Sequence, residues 1–286
     1  MTWDVRGKNI LITGATSGIG FEASVQLARL GAKLVLVGRD AEKTRRTVEG
    51  VKARGGTNDV TYLLCDFSSH VAIRKLADDY RAHHDRLDVL VNNAGTVYKK
   101  CTLTETGIEA TFAVNHLGYF LLTNLLLDMI KKSAPSRIIT VASIAQRQGR
   151  IDFDDLAFES DRYGMMKAYA RSKLANVLFA AELARRLAGT GVTSNSLHPG
   201  SVNTNIWSGA PGYAKPLITI FLKPFLVSAE RGAETIVQLA ADPTLEGVTG
   251  KYFEKKRPVA PAPFAQDQAV AKRLWDVSAR LVGLNL

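Results

Sequence analysis

A chain of 286 residues with 46% hydrophobic and 22% charged residues can bury one sizeable core and is too balanced in composition for disorder. Its two cysteines, Cys65 and Cys101, exclude a disulfide framework and form no metal-ligand spacing, so no metal is expected. The net charge of +10 suits an anionic ligand, but the basic residues are spread along the helix patterns, with no basic helix, aromatic RNA-binding motif or zinc pattern, so nucleic acid is not expected.

The first apolar run, Ile10-Leu11-Ile12, is far too short to cross a bilayer, and nothing before it has the form of a signal peptide. The expectation is a cytoplasmic protein. Asn9 to Thr13 reads as a strand and Ile19 to Leu30 as a helix. Between them lies Thr13-Gly14-Ala15-Thr16-Ser17-Gly18-Ile19-Gly20. In that context the turn is a dinucleotide site. Gly14 permits the tight turn, and Gly18 and Gly20 let backbone approach a pyrophosphate and helix pack on strand. Thr16, Ser17 and Ile19 then face phosphates at the helix N-terminus.

Lys33 to Val37 is the second strand pattern, closed by Gly38-Arg39-Asp40. An acidic residue at this strand end would bind the ribose 2′-hydroxyl of NAD. Glycine stands there instead and Arg39 follows, which favours the 2′-phosphate of NADP(H) over NAD(H), with Lys43 placed to assist. Ala41 to Ala53 is the next helix pattern. Val60 to Leu64 is the third strand, followed by Asp66 and Phe67. Asp66 is placed to accept from an adenine amine, with an N-cap role for it or for Ser68 the competing reading. After the helix pattern His70 to His83 and the strand Leu87 to Val91 comes Asn92-Asn93-Ala94-Gly95. Here Asn93, Ala94 and Gly95 can tie strand ends together and bring backbone to the ribose.

A long helix pattern, Thr106 to Lys132, contains Asn115. Arg137 to Val141 is the fifth strand, with Ser143 just beyond it. A polar insert, Ala145 to Met166, precedes the helix pattern Lys167 to Ala188, which carries Tyr169 and Lys173. Four residues apart, these two share a helix face. An ammonium beside a phenol favours the phenolate and lowers its pKa from the usual value of about 10, making an acid/base that works near neutral pH. Val192 to Leu197 is the sixth strand, followed by His198-Pro199-Gly200; His198 has no obvious partner and reads as structural.

Ser201 to Val227 is rich in Pro, Gly and aromatic residues. Its apolar part, Tyr213 to Val227, holds Leu217, Ile218, Ile220, Phe221, Leu222, Phe225 and Leu226. Such a patch is costly to expose and reads as a substrate lid at about 201–228. With its basic flanks, Lys215 and Lys223, peripheral contact with a membrane is the less favoured alternative. Ala229 to Ala241 is helical, Pro258 to Pro263 extended, and the last helix runs from about Asp267 to Leu281. The alternation of strands and helices predicts one α/β domain over residues 1–286. It would be a doubly wound, Rossmann-like parallel sheet of about seven strands with helices on both faces. Gly31 and Gly189 stand where helices should end.

Thr-Gly-x-x-x-Gly-x-Gly, Asn-Asn-Ala-Gly, Asn115, Ser143, Tyr169-x-x-x-Lys173 and Pro199-Gly200 occur in this order. Over nearly its whole length the chain resembles the short-chain dehydrogenase/reductase family. Val141-Ala142-Ser143, Ala168 to Asn176, Glu182 to Leu187 and Leu197-His198-Pro199-Gly200 are similar to its retinol-dehydrogenase-like, WW-domain-oxidoreductase-like branch. Membrane-anchored members of that branch carry an N-terminal hydrophobic segment. This chain departs from that pattern, which leaves anchoring and a retinoid substrate open.

The resemblance implies an oxidoreductase that moves a hydride between nicotinamide and a carbonyl or alcohol. Tyr169 is the implied acid/base. Lys173 would lower its pKa and bind the nicotinamide ribose, and Ser143 would donate to the substrate oxygen. Asn115 would hold a water in a proton relay, and Val202 and Thr204 would meet the carboxamide beyond Pro199 and Gly200. The apolar lid points to a small hydrophobic alcohol, aldehyde or ketone. Family members pair through their two long helices, implying a homodimer or homotetramer. A sensor or scaffold that binds NADP without turnover is the alternative; the complete Asn115, Ser143, Tyr169, Lys173 set argues against it.

Overall fold

The computed structural model describes residues 3–158, 162–200 and 227–285. Among them, eight strands form one sheet: β1 (Asn9–Thr13), β2 (Lys33–Gly38), β3 (Val60–Leu64), β4 (Val89–Asn92), β5 (Ser136–Val141), β6 (Val192–His198), β7 (Tyr252–Glu254) and β8 (Arg257–Val259). Their spatial order is β3-β2-β1-β4-β5-β6-β7-β8. Every pairing is parallel except β7 with β8. The helices are α1 (Gly18–Arg29), α2 (Ala41–Gly55), α3 (His70–His83), α4 (Ala110–Lys132), α5 (Met165–Arg186), α6 (Ala229–Ala241) and α7 (Gln268–Leu281).

The central strands β1, β2, β4 and β5 are largely apolar on both sides because both sides are covered. Ile10, Ile12, Leu34, Leu36, Val89, Val91 and Ile139 pack with residues of α1, α2 and α6. Their neighbours Leu11, Val35, Val37, Leu90 and Ile138 face the opposite way, toward α3, α4, α5 and α7. This is the two-residue alternation of a pleated strand, read into two cores.

Two expectations are corrected. The sheet has eight strands rather than about seven, because β7 and β8 are only three residues each and Pro258 lies within β8. The long helix starts at Ala110, not Thr106. Gly107 takes a φ of +74°, and the Glu109 carboxylate accepts from Thr111 N at 2.7 Å and Phe112 N at 2.9 Å, capping the first turn. The last helix begins at Gln268 as expected, with Asp267 accepting from Ala269 N and Val270 N as its cap. Gly31 does follow the end of α1, with a φ of +82°.

Although α4 is long and apolar enough to cross a membrane, most of it lies inside the fold. α7 covers part of α4 and α5. Its Trp275 stacks on Phe179 at 5.9 Å and meets the edge of Phe120 at 4.8 Å, with Arg186 over the indole at 4.3 Å.

Candidate active site

In a parallel sheet all C-terminal strand ends share one edge. The strand order reverses between β1 and β4, whose outward helices leave on opposite faces, and the divergence opens a crevice there. The glycine turn lies on one side of this crevice. Gly14 and Gly18 take φ of +64° and +57°, values that side chains rarely adopt. A Cβ on Gly20 would come within 2.4 Å of Gly14 O and 2.5 Å of Asn93 Nδ2, so the helix backbone is pressed against the turn and against the Asn93 side chain at the β4 end.

Asn93 donates to Thr13 O and Gly14 O, both at 3.0 Å. Thr13 Oγ1 donates to Val91 O at 3.2 Å and accepts from Asn93 N at 2.8 Å and Ala94 N at 3.0 Å. Tyr119, on α4, donates its hydroxyl to Ala94 O. Asn93 and Ala94 thus tie β1 to β4, and Gly95 is exposed just beyond. The roles of Thr13 and Tyr119 are not visible in the sequence, since they depend on which strand ends become neighbours.

Ser17 is the N-cap of α1 but makes no side-chain cap, and the first turn of α1 has no acidic residue. By contrast α2, α3, α6 and α7 are capped by Asp40, Ser69, Ser228 and Asp267. α5 shares this lack of a side-chain cap at Gly164; at α1 it leaves the first amides free of a carboxylate or hydroxyl cap, and a phosphate fits them. Thr16 and Ser17 share a hollow with Asp40, Lys43 and Arg46. Arg39 is exposed at the β2 end. At Gly38 a Cβ would fall 2.1 Å from Thr44 Oγ1 and 2.5 Å from Thr16 Cγ2, so no acidic side chain fits that position.

Asp66 lies beyond β3 and accepts from Ser68 N and Ser68 Oγ through Oδ1. Neither it nor Ser68 caps α3; Ser69 does. The Phe67 ring is buried against Gly118 of α4, so only its backbone is free to meet a ligand.

Past the crevice, Ser143 follows β5 and starts a short 3-10 turn, its Oγ accepting from Ala145 N at 3.2 Å. Tyr169 and Lys173 project from α5 toward the same place. Lys173 Nζ lies 5.6 Å from the Tyr169 ring centroid and donates to Val141 O at 3.0 Å. Burial drives the electrostatics. It pushes the Lys173 amine down to about 7 and raises the Tyr169 phenol, and a hydrogen bond with Ser143 opposes that rise. Burial of the phenol thus works against the expected lowering of the tyrosine by its lysine.

Asn115 sits in a π-turn of α4, Ala113–Leu117. Its amide accepts from Thr96 N at 2.8 Å and donates to Thr96 O and Ser172 Oγ, both at 3.0 Å. Ser172 Oγ in turn donates to Tyr169 O at 2.8 Å. The structure therefore brings Asn115, Ser143, Tyr169 and Lys173 to one edge of the crevice. Pro199 and Gly200 follow β6 on the same edge, Gly200 with a φ of +91°. Val202, Thr204 and the apolar stretch from Tyr213 to Leu226 lie outside the described residues. His198 is partly buried at the end of β6, and its ring is shifted below the ordinary range by burial.

Residues 8–211 match the model of the short chain dehydrogenase family. Retinol dehydrogenase 13 of Homo sapiens is 43% identical over 98% of this chain and 86% of its own length. Retinol dehydrogenase 14 of Mus musculus is 41% identical over 98% and 87%. Among solved structures, an uncharacterized protein from Mycobacterium Paratuberculosis superposes with a TM-score of 0.79 at 30% identity, covering 100% of this chain and 99% of that one. The Pseudomonas aeruginosa RhlG/NADP active-site complex gives 0.71 at 25% identity, covering 87% and 95%. With its crevice, glycine turn and Ser-Tyr-Lys cluster, the chain belongs to the short-chain dehydrogenase family, as a retinol-dehydrogenase-like oxidoreductase.

Proposed function

We propose that the protein is an NADP(H)-dependent oxidoreductase that interconverts a hydrophobic alcohol and its aldehyde or ketone. The observation that carries this reading is the convergence of Ser143, Tyr169 and Lys173 at the strand-end crevice beside an uncapped helix N-terminus. The nicotinamide supplies or accepts the hydride when bound.

The chain's residues do the rest. Gly14, Thr16, Ser17, Gly18, Ile19 and Gly20 hold the pyrophosphate. Asp66, Phe67, Asn93, Ala94, Gly95, Pro199, Gly200, Val202 and Thr204 line the remaining nucleotide. Arg39 pairs with the 2′-phosphate, a role supported by the steric exclusion of any acidic side chain at Gly38.

Tyr169 gives its phenolic proton to the carbonyl oxygen in reduction and takes it back in oxidation. Ser143 donates to the same oxygen, where negative charge develops. A protonated Lys173 stabilises the phenolate, and Asn115 continues the proton path from the lysine. Ile144, next to Ser143, and Met166, one turn before Tyr169, are exposed apolar side chains on this edge. They support a lipophilic substrate beneath the segment 201–228 acting as a lid.

The test is titration with NADPH and NADH, followed by turnover with retinal, steroid ketones and aromatic aldehydes. Tighter NADPH binding with turnover is expected. Tighter NADH binding would reject the role of Arg39. Binding with no turnover on any carbonyl would favour a non-catalytic sensor.

A further inference from the structure

Residues 93–96, past the end of β4, form no helix or strand, so their backbone polar groups need partners from elsewhere. Three side chains supply them. Thr13 Oγ1, on β1, accepts from Ala94 N at 3.0 Å. Asn115, on α4, holds both backbone groups of Thr96: its Oδ1 accepts from Thr96 N at 2.8 Å and its Nδ2 donates to Thr96 O at 3.0 Å. Tyr119, further along α4 and wholly buried, donates to Ala94 O. Gly95 stands between these two held residues. It is exposed, and its own N–H and C=O take no partner among the described residues.

Packing holds Ala94 from the other side. A Cβ on Gly14 would fall 2.5 Å from Ala94 Cα and 2.9 Å from Ala94 N, so the glycine turn lies directly on this backbone. A carbonyl oxygen only accepts, so the Tyr119 hydroxyl is the donor. Thr13 Oγ1 also serves Val91 O and Asn93 N, and Asn115 also meets Ser172. The Tyr119 hydroxyl has the Ala94 carbonyl as its only hydrogen-bond partner among the described residues. A free N–H and a free C=O on one exposed residue suit groups that both accept and donate, which is the chemistry of ribose hydroxyls.

We propose that Tyr119 is a positioning residue for the nucleotide: its hydroxyl fixes the Ala94 carbonyl and, with the Thr13 and Asn115 bonds, sets Gly95 in advance for the ribose hydroxyls. Backbone ordered before binding does not have to be ordered during it, so the hydroxyl contributes to affinity. The proposal rests on the nucleotide-binding reading, which NADPH binding by the wild type tests separately.

The test is Tyr119→Phe, which keeps the buried ring and removes one oxygen. Tyr80→Phe is the matched control. Tyr80 is equally buried, and its hydroxyl donates to Arg86 O at 3.1 Å, ahead of β4 on the opposite edge of the sheet. Both variants are expected to lower Tm. In fluorescence titration, Tyr119→Phe is expected to bind NADPH and NADH alike about 10-fold more weakly, since the 2′-phosphate is not involved, and Tyr80→Phe to stay within about 2-fold of wild type. In nucleotide-free Tyr119→Phe, amide hydrogen exchange over residues 93–98 is faster than in wild type, and saturating NADPH slows it to the wild-type level. NADPH affinity within about 2-fold of wild type in Tyr119→Phe overturns the proposal, as does an equal loss in Tyr80→Phe or unchanged exchange over residues 93–98.

Discussion

Replacing Lys173 by methionine isolates the cost of burying an amine. In the folded protein the amine sits near 7 against 10.5 when solvated, a gap of about 3.5 pH units. At about 1.36 kcal/mol per unit, the full penalty is about 5 kcal/mol. Below pH 7 both folded and unfolded chains carry the proton and the whole penalty applies. Between 7 and 10.5 the unfolded chain still binds a proton that the folded chain has released, so stability rises with pH in that window. From pH 7 to pH 9 the lysine should add about 2 kcal/mol to the wild type and nothing to Lys173→Met. Urea unfolding of both proteins at the two pH values measures this. Groups shared by the two proteins cancel, as does the lost bond to Val141 O, because only the change between pH values is compared. Parallel pH dependence in the two proteins would mean that Lys173 is solvated or paired in the folded state, and the electrostatic account of the site would fail.

Tyr169→Phe should lower kcat by about 10^2 to 10^4, the usual contribution of a positioned acid/base, while nucleotide affinity stays the same; retained turnover would assign the proton to another group. Arg39→Ala should weaken NADPH by about 10- to 100-fold, the loss of one charge-assisted bond, and leave NADH nearly unchanged; equal losses for both in fluorescence titration would remove the 2′-phosphate role. Arg171 is buried 3.6 Å from Glu109 and donates to Asp155 O and Leu156 O. Arg171→Met should leave the buried Glu109 without its cation and cost about 3–5 kcal/mol in urea unfolding; a loss under about 1 kcal/mol would mean that the pair contributes little to the fold.

The parallel core of the sheet is legible because β1, β2, β4, β5 and β6 are buried on both faces, and continuous runs such as Leu34-Val35-Leu36-Val37 have few other uses. β7 and β8 are not, since three-residue strands carry too short a pattern and owe their pairing to the neighbouring β6. Tyr169 and Lys173 can be paired from spacing alone because both lie on one helix. Thr13 and Tyr119 cannot, because each acts across elements far apart in the chain. The direction of the Tyr169 shift is hidden for a related reason: spacing places a charge near the phenol, but only the fold shows how completely both groups are removed from water.

α7 stands on the face formed by α4 and α5, with Trp275 wedged against Phe120 and Phe179 and Ser278 reaching His116 inside. A second copy approaching that part of the two helices would meet α7 first. Shortening the protein before residue 268 would therefore do more than trim an end. It would leave a greasy, indole-shaped vacancy on the surface and remove the hydroxyl that holds His116 from behind, so a truncated version would invite self-association at the same stroke as it loosens the interior.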